Sequence, residues 1–363
     1  MRKALSSLVT APKRVALADS ATAIAVALVT ASLALLVEDL LPKPGERYEP
    51  SWPRVSFFAV VLVLVVVGRY VRRKAREAAG TLVSIQVLDE GMADRTRGEN
   101  SRTAAQKRTM SIRTVHRWPD LAASTVDGVI DVAALCAEVG RTAELLINTA
   151  QDNERIAVAP NLLWPMALGV GGYLPLAEFD TCFVELSTQD RRESEEFVPG
   201  RSTLEGLSDI DLAPSELAEP TGNRIGVAVT LTQDVHAGTS EARLRDFGVR
   251  TVHHIVRPAG VGTAEMVNGR PQIHFSGAEL HVLASVVAAG LAKIKQSCGE
   301  RELVVTAQMP KTVALAAGWY LAQLGLNFYR GTYLLHYTPQ DDVSSPMRVK
   351  ESHDPRPLNS ESS

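Results

Sequence analysis

Ile156-Ala-Val-Ala-Pro160 followed by Trp164-Pro-Met-Ala-Leu-Gly-Val-Gly-Gly-Tyr-Leu174 decides the fold class, because it has an echo later in the chain. Val304-Val-Thr-Ala-Gln-Met-Pro310 runs into Lys311-Thr-Val-Ala-Leu-Ala-Ala-Gly-Trp-Tyr-Leu321. Each copy is a short apolar strand, a Pro-containing turn and a small-residue helix ending in Tyr-Leu. One such match is within reach of chance. The shared strand–turn–helix context makes it a weak internal duplication of an α/β unit.

The pattern extends outward from both copies. Ser111–Trp118 reads as a strand, Val132–Ala150 has helical periodicity, Arg155–Ala159 is a short strand and Leu163–Leu174 a helix. Cys182–Leu186 closes this first half, about 109–190. Arg191–Pro220 is charged, contains Pro and Gly, and reads as an irregular connection. The second half, about 224–339, opens with the β-rich run Ile225-Gly-Val-Ala-Val-Thr-Leu231 and continues through a strand at Arg250–Val256. Ser276-Gly-Ala-Glu279 is a capping box that starts a long helix to about Gln296. Leu303–Thr306 is a strand, Lys311–Leu324 a helix and Thr332–Tyr337 a closing strand. Strands alternating with helices predict a mostly parallel sheet in each half.

Upstream lie two apolar segments, Ala21–Val37 and Val55–Val67, the second extending to Val71. At 1.5 Å per residue each reaches about 25 Å, close to the hydrocarbon thickness of a bilayer. They predict a transmembrane hairpin over residues 1–76, with spans at about 20–37 and 55–71. Arg2, Lys3, Lys13 and Arg14 precede the first span, and Arg69, Arg72, Arg73, Lys74 and Arg76 follow the second. Basic flanks stay inside, so both termini are expected on the cytoplasmic side of the membrane. Tyr48 and Trp52 are placed for the interface. The competing reading of the first segment is a cleaved signal peptide, since it is Ala-rich and only moderately hydrophobic. Ala23, Ala27 and Ala31 form a small-residue stripe that suits packing against the second span or self-association between subunits.

Residues 77–108 read as a linker. They include a possible strand or helical continuation at Leu82–Leu88 and a polar run from Asp89 to Lys107. The basic cluster at its start suits anionic headgroups and ordinary topology equally well. Residues 340–363 are polar and charged and read as a disordered tail. The net charge of −3 gives no general attraction for duplex nucleic acid. Cys136, Cys182 and Cys298 are widely spaced, with no Cys-x-x-Cys, so reduced, buried thiols are expected rather than a metal site.

The C-terminal half resembles a SAVED domain, the nucleotide-sensing module of bacterial CBASS anti-phage systems. The resemblance is carried by Ile225–Leu231, by the helix after Phe275-Ser-Gly-Ala-Glu279, and by Val304–Tyr337, and it covers about Met110–Pro339. SAVED domains are similar to two fused CARF-like, Rossmann-related halves, in keeping with the duplication. Members carrying two transmembrane helices form a class of CBASS effector with this layout. The resemblance implies a membrane effector that senses a cyclic di- or trinucleotide made by a partner nucleotidyltransferase. It further implies that the effector assembles into homo-oligomers and disrupts the membrane, with no cofactor and no metal.

In open α/β sheets ligands bind beyond the carboxyl ends of strands, where helix N-termini offer free N–H groups to phosphate. Those positions are Pro160, Asn161 and Trp164 in the first half. In the second they are Thr232, Gln233, Asp234 and His236, then Gln308, Met309, Pro310, Lys311 and Thr312. Lys311 suits neutralising a phosphate, Thr312 suits donating to one, and Trp164 or His236 suits stacking on a base. Each has a plainer reading: Lys311 as a solvated first-turn residue, Trp164 as a core aromatic, Asp234 bonding turn amides, and His236 as an exposed turn residue.

An enzyme finds little support. The sequence has no P-loop, no His-Glu-x-x-His and no Gly-x-Ser-x-Gly. Gly169-Val-Gly171-Gly172 sits in a helical pattern, and His253-His254 in a strand point to opposite faces. A ring nuclease stays open, as does the alternative of a membrane-anchored nucleotide-processing enzyme or scaffold using the hairpin as a tether.

Overall fold

The computed structural model describes residues 27, 30–31, 52–77, 80–90, 95–150, 155–175, 181–186, 194–200, 214–217, 222–232, 237–267, 270–325, 327–338 and 343–351. The chain divides into two compact units. One is Met1–Thr81 with Ala105–Ser111 and Asp152–Glu154, and the other is the remainder.

In the first unit α1 spans Trp52–Glu77 and contains the second predicted span. Phe57, Val60, Leu62, Val63, Leu64, Val66, Val67 and Tyr70 are exposed along it, an apolar surface that water alone does not explain. Of the first predicted span only Ala27, Thr30 and Ala31 are described, and they are helical; the rest lies outside the described residues. Among the described residues one helix is long and apolar enough to cross a membrane, Gly277–Ser297, while the apolar stretch of α1, Ser56–Tyr70, is shorter. Gly277–Ser297 is a core helix of the second unit, with Leu280, Leu283, Val287, Leu291 and Ile294 buried.

The stretch expected to be a linker is structured. β1 (Thr81–Val87) is buried at every residue and α2 spans Arg95–Lys107. Its buried residues among those described are small ones, Ser101, Ala104 and Ala105, and Ser84 Oγ donates to Ser101 Oγ at 3.0 Å. β2 (Ser111–Arg117) lies beside β1. Ser111 N donates to Gly80 O and Leu88 N to Arg117 O, so the two strands run parallel.

The remaining elements are β3 (Thr125–Val126), β4 (Val129–Asp131), α3 (Ala133–Asn148), β5 (Ile156–Leu162), α4 (Trp164–Gly171), β6 (Thr181–Glu185), β7 (Glu195–Phe197) and β8 (Pro214–Glu216). They are followed by β9 (Arg224–Thr230), α5 (Ala237–Arg245), β10 (Val249–Val256), β11 (Thr263–Val267), β12 (Arg270–His274), α6 (Gly277–Ser297), β13 (Leu303–Gln308), α7 (Lys311–Gln323), β14 (Thr332–Thr338) and β15 (Val343–Arg348). The capping box holds: Ser276 Oγ accepts from Glu279 N, and the Glu279 carboxylate accepts from Ser276 N.

One sheet has the order β2-β1-β5-β6-β7, a second β3-β4-β15-β14-β13-β9-β10-β8, and β11 and β12 form a two-stranded third. Within the second, β10-β9-β13-β14-β15 repeats the first strand for strand. β5 and β6 are parallel and β7 antiparallel to β6. Likewise β9 is parallel to β10 and β13, β13 to β14, and β15 is antiparallel to β14. The duplication legible in residues 156–174 and 304–321 therefore extends over both halves. β15 corrects the expectation of a disordered tail from residue 340: Met347 and Val349 are fully buried, and β15 also pairs with β4.

The halves interlock through equivalent parts. α4 and α7 pack on each other; α7 also packs on β5 and β6, and α4 on β14. Every residue from Thr312 to Leu321 is buried, as is every residue from Pro165 to Gly171. A helix apolar on all sides belongs in an interior. The segment after each antiparallel strand reaches the other half: Gly200 N donates to Tyr320 Oη at 3.2 Å, and the Lys350 ammonium lies 3.3 Å from the Tyr173 ring centroid. In the duplicated pattern Tyr173 corresponds to Tyr320.

Candidate functional site

Each half reverses its strand order once, between β1 and β5 in the first and between β9 and β13 in the second. Such reversals leave a crevice at the strand carboxyl ends. Leu231 N and Thr232 N both donate to Gln308 O, at 2.9 and 3.3 Å, which brings Thr232 and Gln308 together at the second reversal. Gln233, Asp234 and His236 lie outside the described residues.

The same ends meet across the halves. Lys311 Nζ donates to Asn161 Oδ1 at 2.5 Å. Asn161 is the next-to-last residue of β5 and Lys311 opens α7, so this bond joins the end region of the first half's strand to the second half's helix start. Asn161 is 2% exposed, while Lys311 and Gln308 are half-buried. Met309 is buried and Pro310 caps α7 with an extended backbone (φ −56°, ψ 145°), which presets the turn. Pro160 is buried within β5, and Pro165 is at the start of α4. Trp164 is half-buried and packs against the core.

Thr312 is placed differently from the expectation. It is fully buried, and its hydroxyl donates to the Glu185 carboxylate. Its amide donates to the same oxygen, Oε2, at 3.3 Å. The α7 N-terminus therefore already holds an anion, the carboxylate at the end of β6. A carboxylate at a helix start satisfies its orphan N–H groups and complements its dipole. A phosphate directly on Thr312 would have to displace Glu185.

Glu185 was not legible as a site residue, and neither was its counterpart. Ile156 pairs with Thr181 as Leu303 pairs with Thr332, so four residues on, Glu185 and His336 correspond. His336 is 7% exposed. Burial pulls its pKa below the usual imidazole value, against the pull of Asp89, which sits at the carboxyl end of β1. A lone acid or imidazole closing an apolar strand is the signal that aligning the two halves brings out.

Among the described residues no group of three or more His, Cys, Asp or Glu is placed to hold a metal ion. The three cysteines are free and buried. Ser215 Oγ lies 3.2 Å from His254 Nε2, and Glu241 Oε1 3.6 Å from the same nitrogen. A nucleophile relay needs the two ring nitrogens on different partners. This trio lacks that arrangement.

No family model matches the chain, and no curated protein does. Among solved structures it is similar to the Acinetobacter baumannii Cap4 SAVED/CARF-domain containing receptor, at 9% identity and a TM-score of 0.38 over 81% of this chain and 58% of that one. The same receptor with the cyclic trinucleotide 3′3′3′-cAAA gives 10% identity and a TM-score of 0.40, over 81% and 60%. With 2′3′3′-cAAA the values are 8% and 0.41, over 81% and 60%. The chain spans about three fifths of the length of that receptor.

Proposed function

We propose that this chain is a membrane-anchored sensor of a cyclic oligonucleotide. Two fused Rossmann-like halves bind a cyclic di- or trinucleotide where their strand ends meet. The ligand comes from a partner nucleotidyltransferase. Binding joins neighbouring subunits into a homo-oligomer, gathers their N-terminal hairpins and disrupts the bacterial inner membrane, in the manner of a CBASS effector. The chain acts as a receptor, with no catalytic step of its own.

The observation that carries the reading is the Lys311–Asn161 bond, which places a cation and an amide from different halves at one crevice. A cyclic oligonucleotide carries phosphates and base edges on one rigid ring, and cations and amides are the groups that bind them. The apolar exterior of α1 supports attachment to lipid. Ligand-driven assembly requires tighter binding to the assembled than to the single chain.

The test titrates the full chain in detergent micelles with a panel of cyclic di- and trinucleotides, reading heat and mass together. Tight binding to one species with a rise in mass supports the sensor and its assembly. Binding at constant mass retains the sensor and removes ligand-driven assembly. Turnover of the bound ring, or binding to none of the panel, favours the anchored enzyme or scaffold.

A further inference from the structure

The carboxylate of Glu185 is half occupied. Oε2 accepts both the amide and the hydroxyl of Thr312, which fixes the plane of the group. Oε1 accepts nothing among the described residues. Glu185 is half-buried at the carboxyl end of β6, and Lys311, one residue before its anchor Thr312, is bonded to Asn161. Its cross-strand neighbour Glu195 is already engaged, with Gly277 N donating to its Oε2 at 3.1 Å and His274 Nε2 3.6 Å from its Oε1, so Glu185 Oε1 is the open acceptor of the pair.

A carboxylate oxygen left open repels phosphate and attracts hydrogen-bond donors. A ligand that meets Lys311 with a phosphate must meet Glu185 with N–H. Resting on the sensing reading above, we infer that Glu185 is a specificity-determining residue whose Oε1 accepts a hydrogen bond from the exocyclic amino group of a bound nucleobase. The anchoring by Thr312 matters to this role, because an acceptor held in one orientation discriminates better than a mobile one. At the corresponding position the second half carries no carboxylate: the residue is His336, buried and in a different chemical class. The ligand's two ends are therefore read differently, one through an amino group and a phosphate, the other through other contacts.

The chemistry supplies its own inversion test. In Glu185→Gln the side-chain oxygen stays with the Thr312 amide and hydroxyl, and the amide nitrogen takes the place of Oε1. An acceptor becomes a donor with almost no change in shape. The full chain in detergent micelles is titrated with cyclic di- and trinucleotides of adenine or guanine, and with their hypoxanthine counterparts, which lack the exocyclic amine. The wild type is expected to favour the amino-bearing rings by about tenfold or more, the scale of one hydrogen bond to a charged group. Glu185→Gln is expected to lose that preference, and to reverse it in the adenine series, where hypoxanthine presents a carbonyl oxygen. Thr312→Val, which removes the hydroxyl anchor and leaves the carboxylate, keeps the sign of the preference with a smaller ratio. Thermal unfolding of each variant separates folding from recognition. An unchanged ratio in Glu185→Gln, or a wild type that binds both series alike, overturns this inference and leaves the sensor intact. A wild type that binds no member of either series overturns the sensor reading, and this inference with it.

Discussion

Gly171 and Gly318 occupy corresponding places in α4 and α7, and each lies against the main chain of the other helix. A Cβ on Gly171 would come within 2.0 Å of Leu315 O, and one on Gly318 within 2.0 Å of Leu168 O. Leu168 and Leu315 also correspond in the duplicated pattern. The contact is thus its own mirror under exchange of the halves, the arrangement expected where two copies of one unit meet about a local two-fold axis. The Lys311–Asn161 bond joins the start of α7 to the strand that leads into α4, so it lies at the same end of this helix pair.

Gly171→Ala and Gly318→Ala each place a methyl group inside backbone that has no flexible side chain to yield. Each is expected to lower stability by about 3 kcal/mol, the upper range for overpacking. The two changes affect one contact, so the double variant costs less than the sum. Gly98→Ala is the contrast. It lies within α2, and the nearest atom a Cβ would meet is Gln86 Oε1 at 3.8 Å, so helix propensity predicts a gain of about 0.5–1 kcal/mol. Chemical denaturation of the three variants decides the matter; equal effects at Gly98 and Gly171 would remove the close-packing account.

Ser276 and Glu279 start α6, the core helix of the second half. Gly262 N donates to Glu279 Oε1 at 2.8 Å and Ser276 N to Oε2 at 2.7 Å, and these bonds hold the carboxyl below its ordinary value of 4.5. A depressed folded-state pKa means that the contribution is complete above the unfolded value and is lost as pH falls through the folded one. Ser276→Ala is expected to cost about 1 kcal/mol at neutral pH. Glu279→Gln is expected to flatten the loss of stability below about pH 4.5, measured by urea unfolding across the acid range.

Much of this fold was legible. The apolar runs at residues 225–231 and 303–306 and the Ser276–Glu279 box gave strands and a helix start close to the observed ones. The misses share a cause. α2 (Arg-Thr-Arg-Gly-Glu-Asn-Ser-Arg-Thr-Ala-Ala-Gln-Lys) has almost no apolar stripe, because its buried residues are the small Ser101, Ala104 and Ala105, so periodicity carries little signal. β15 contains two serines and a proline and is a strand because β14 and β4 flank it. The β3–β4 hairpin did carry a local signal, Asp127-Gly128, both with positive φ as a tight hairpin turn requires. Asn161, Lys311, Gln308 and Thr232 were read from strand ends alone, and the structure brings Lys311 to Asn161 and Thr232 to Gln308. Glu185 was not, because its partner Thr312 is 127 residues away and nothing local marks a carboxylate that caps another half's helix.

Lys350 gives a prediction at alkaline pH. Its ammonium lies over the Tyr173 ring, which favours the charged form, yet burial outweighs this and takes the pKa down to about 8 from 10.5. Between those values the unfolded chain holds a proton that the folded chain has released, so this group's contribution to stability rises with pH. Cys136 acts in the opposite sense: burial pushes its thiol up to about 12, so its contribution falls above 9.0, the ordinary thiol value. Lys350→Met isolates the first effect. The stability difference between Lys350→Met and the wild type should be largest, in favour of methionine, below pH 8 and narrow toward pH 10.5, followed by denaturant titration at each pH. A difference independent of pH would mean that the lysine keeps an ordinary pKa.

Lys311 and Asn161 test the crevice directly. Lys311→Gln removes the charge and keeps a hydrogen-bonding side chain, so ligand affinity should fall about tenfold and lose part of its salt dependence. Asn161→Ala removes the acceptor that orients Lys311, so it should weaken binding with the salt dependence retained. Calorimetry at two ionic strengths separates the two. If both variants bind as the wild type does, the ligand sits elsewhere on the domain.

The proposed membrane role turns on α1. Val63 is exposed near the middle of its apolar stretch, where an arginine costs about 2.5–3.5 kcal/mol in hydrocarbon. Val63→Arg leaves the second unit untouched, so cyclic oligonucleotide binding should persist at wild-type strength. Lipid retention should weaken, read as release from membranes on alkaline washing, and dye leakage from cells given the ligand should drop. The effector reading requires binding and leakage to separate in this way. Loss of neither would mean that Val63 does not face lipid, and leakage unaffected by weakened retention would place the disruptive element outside α1.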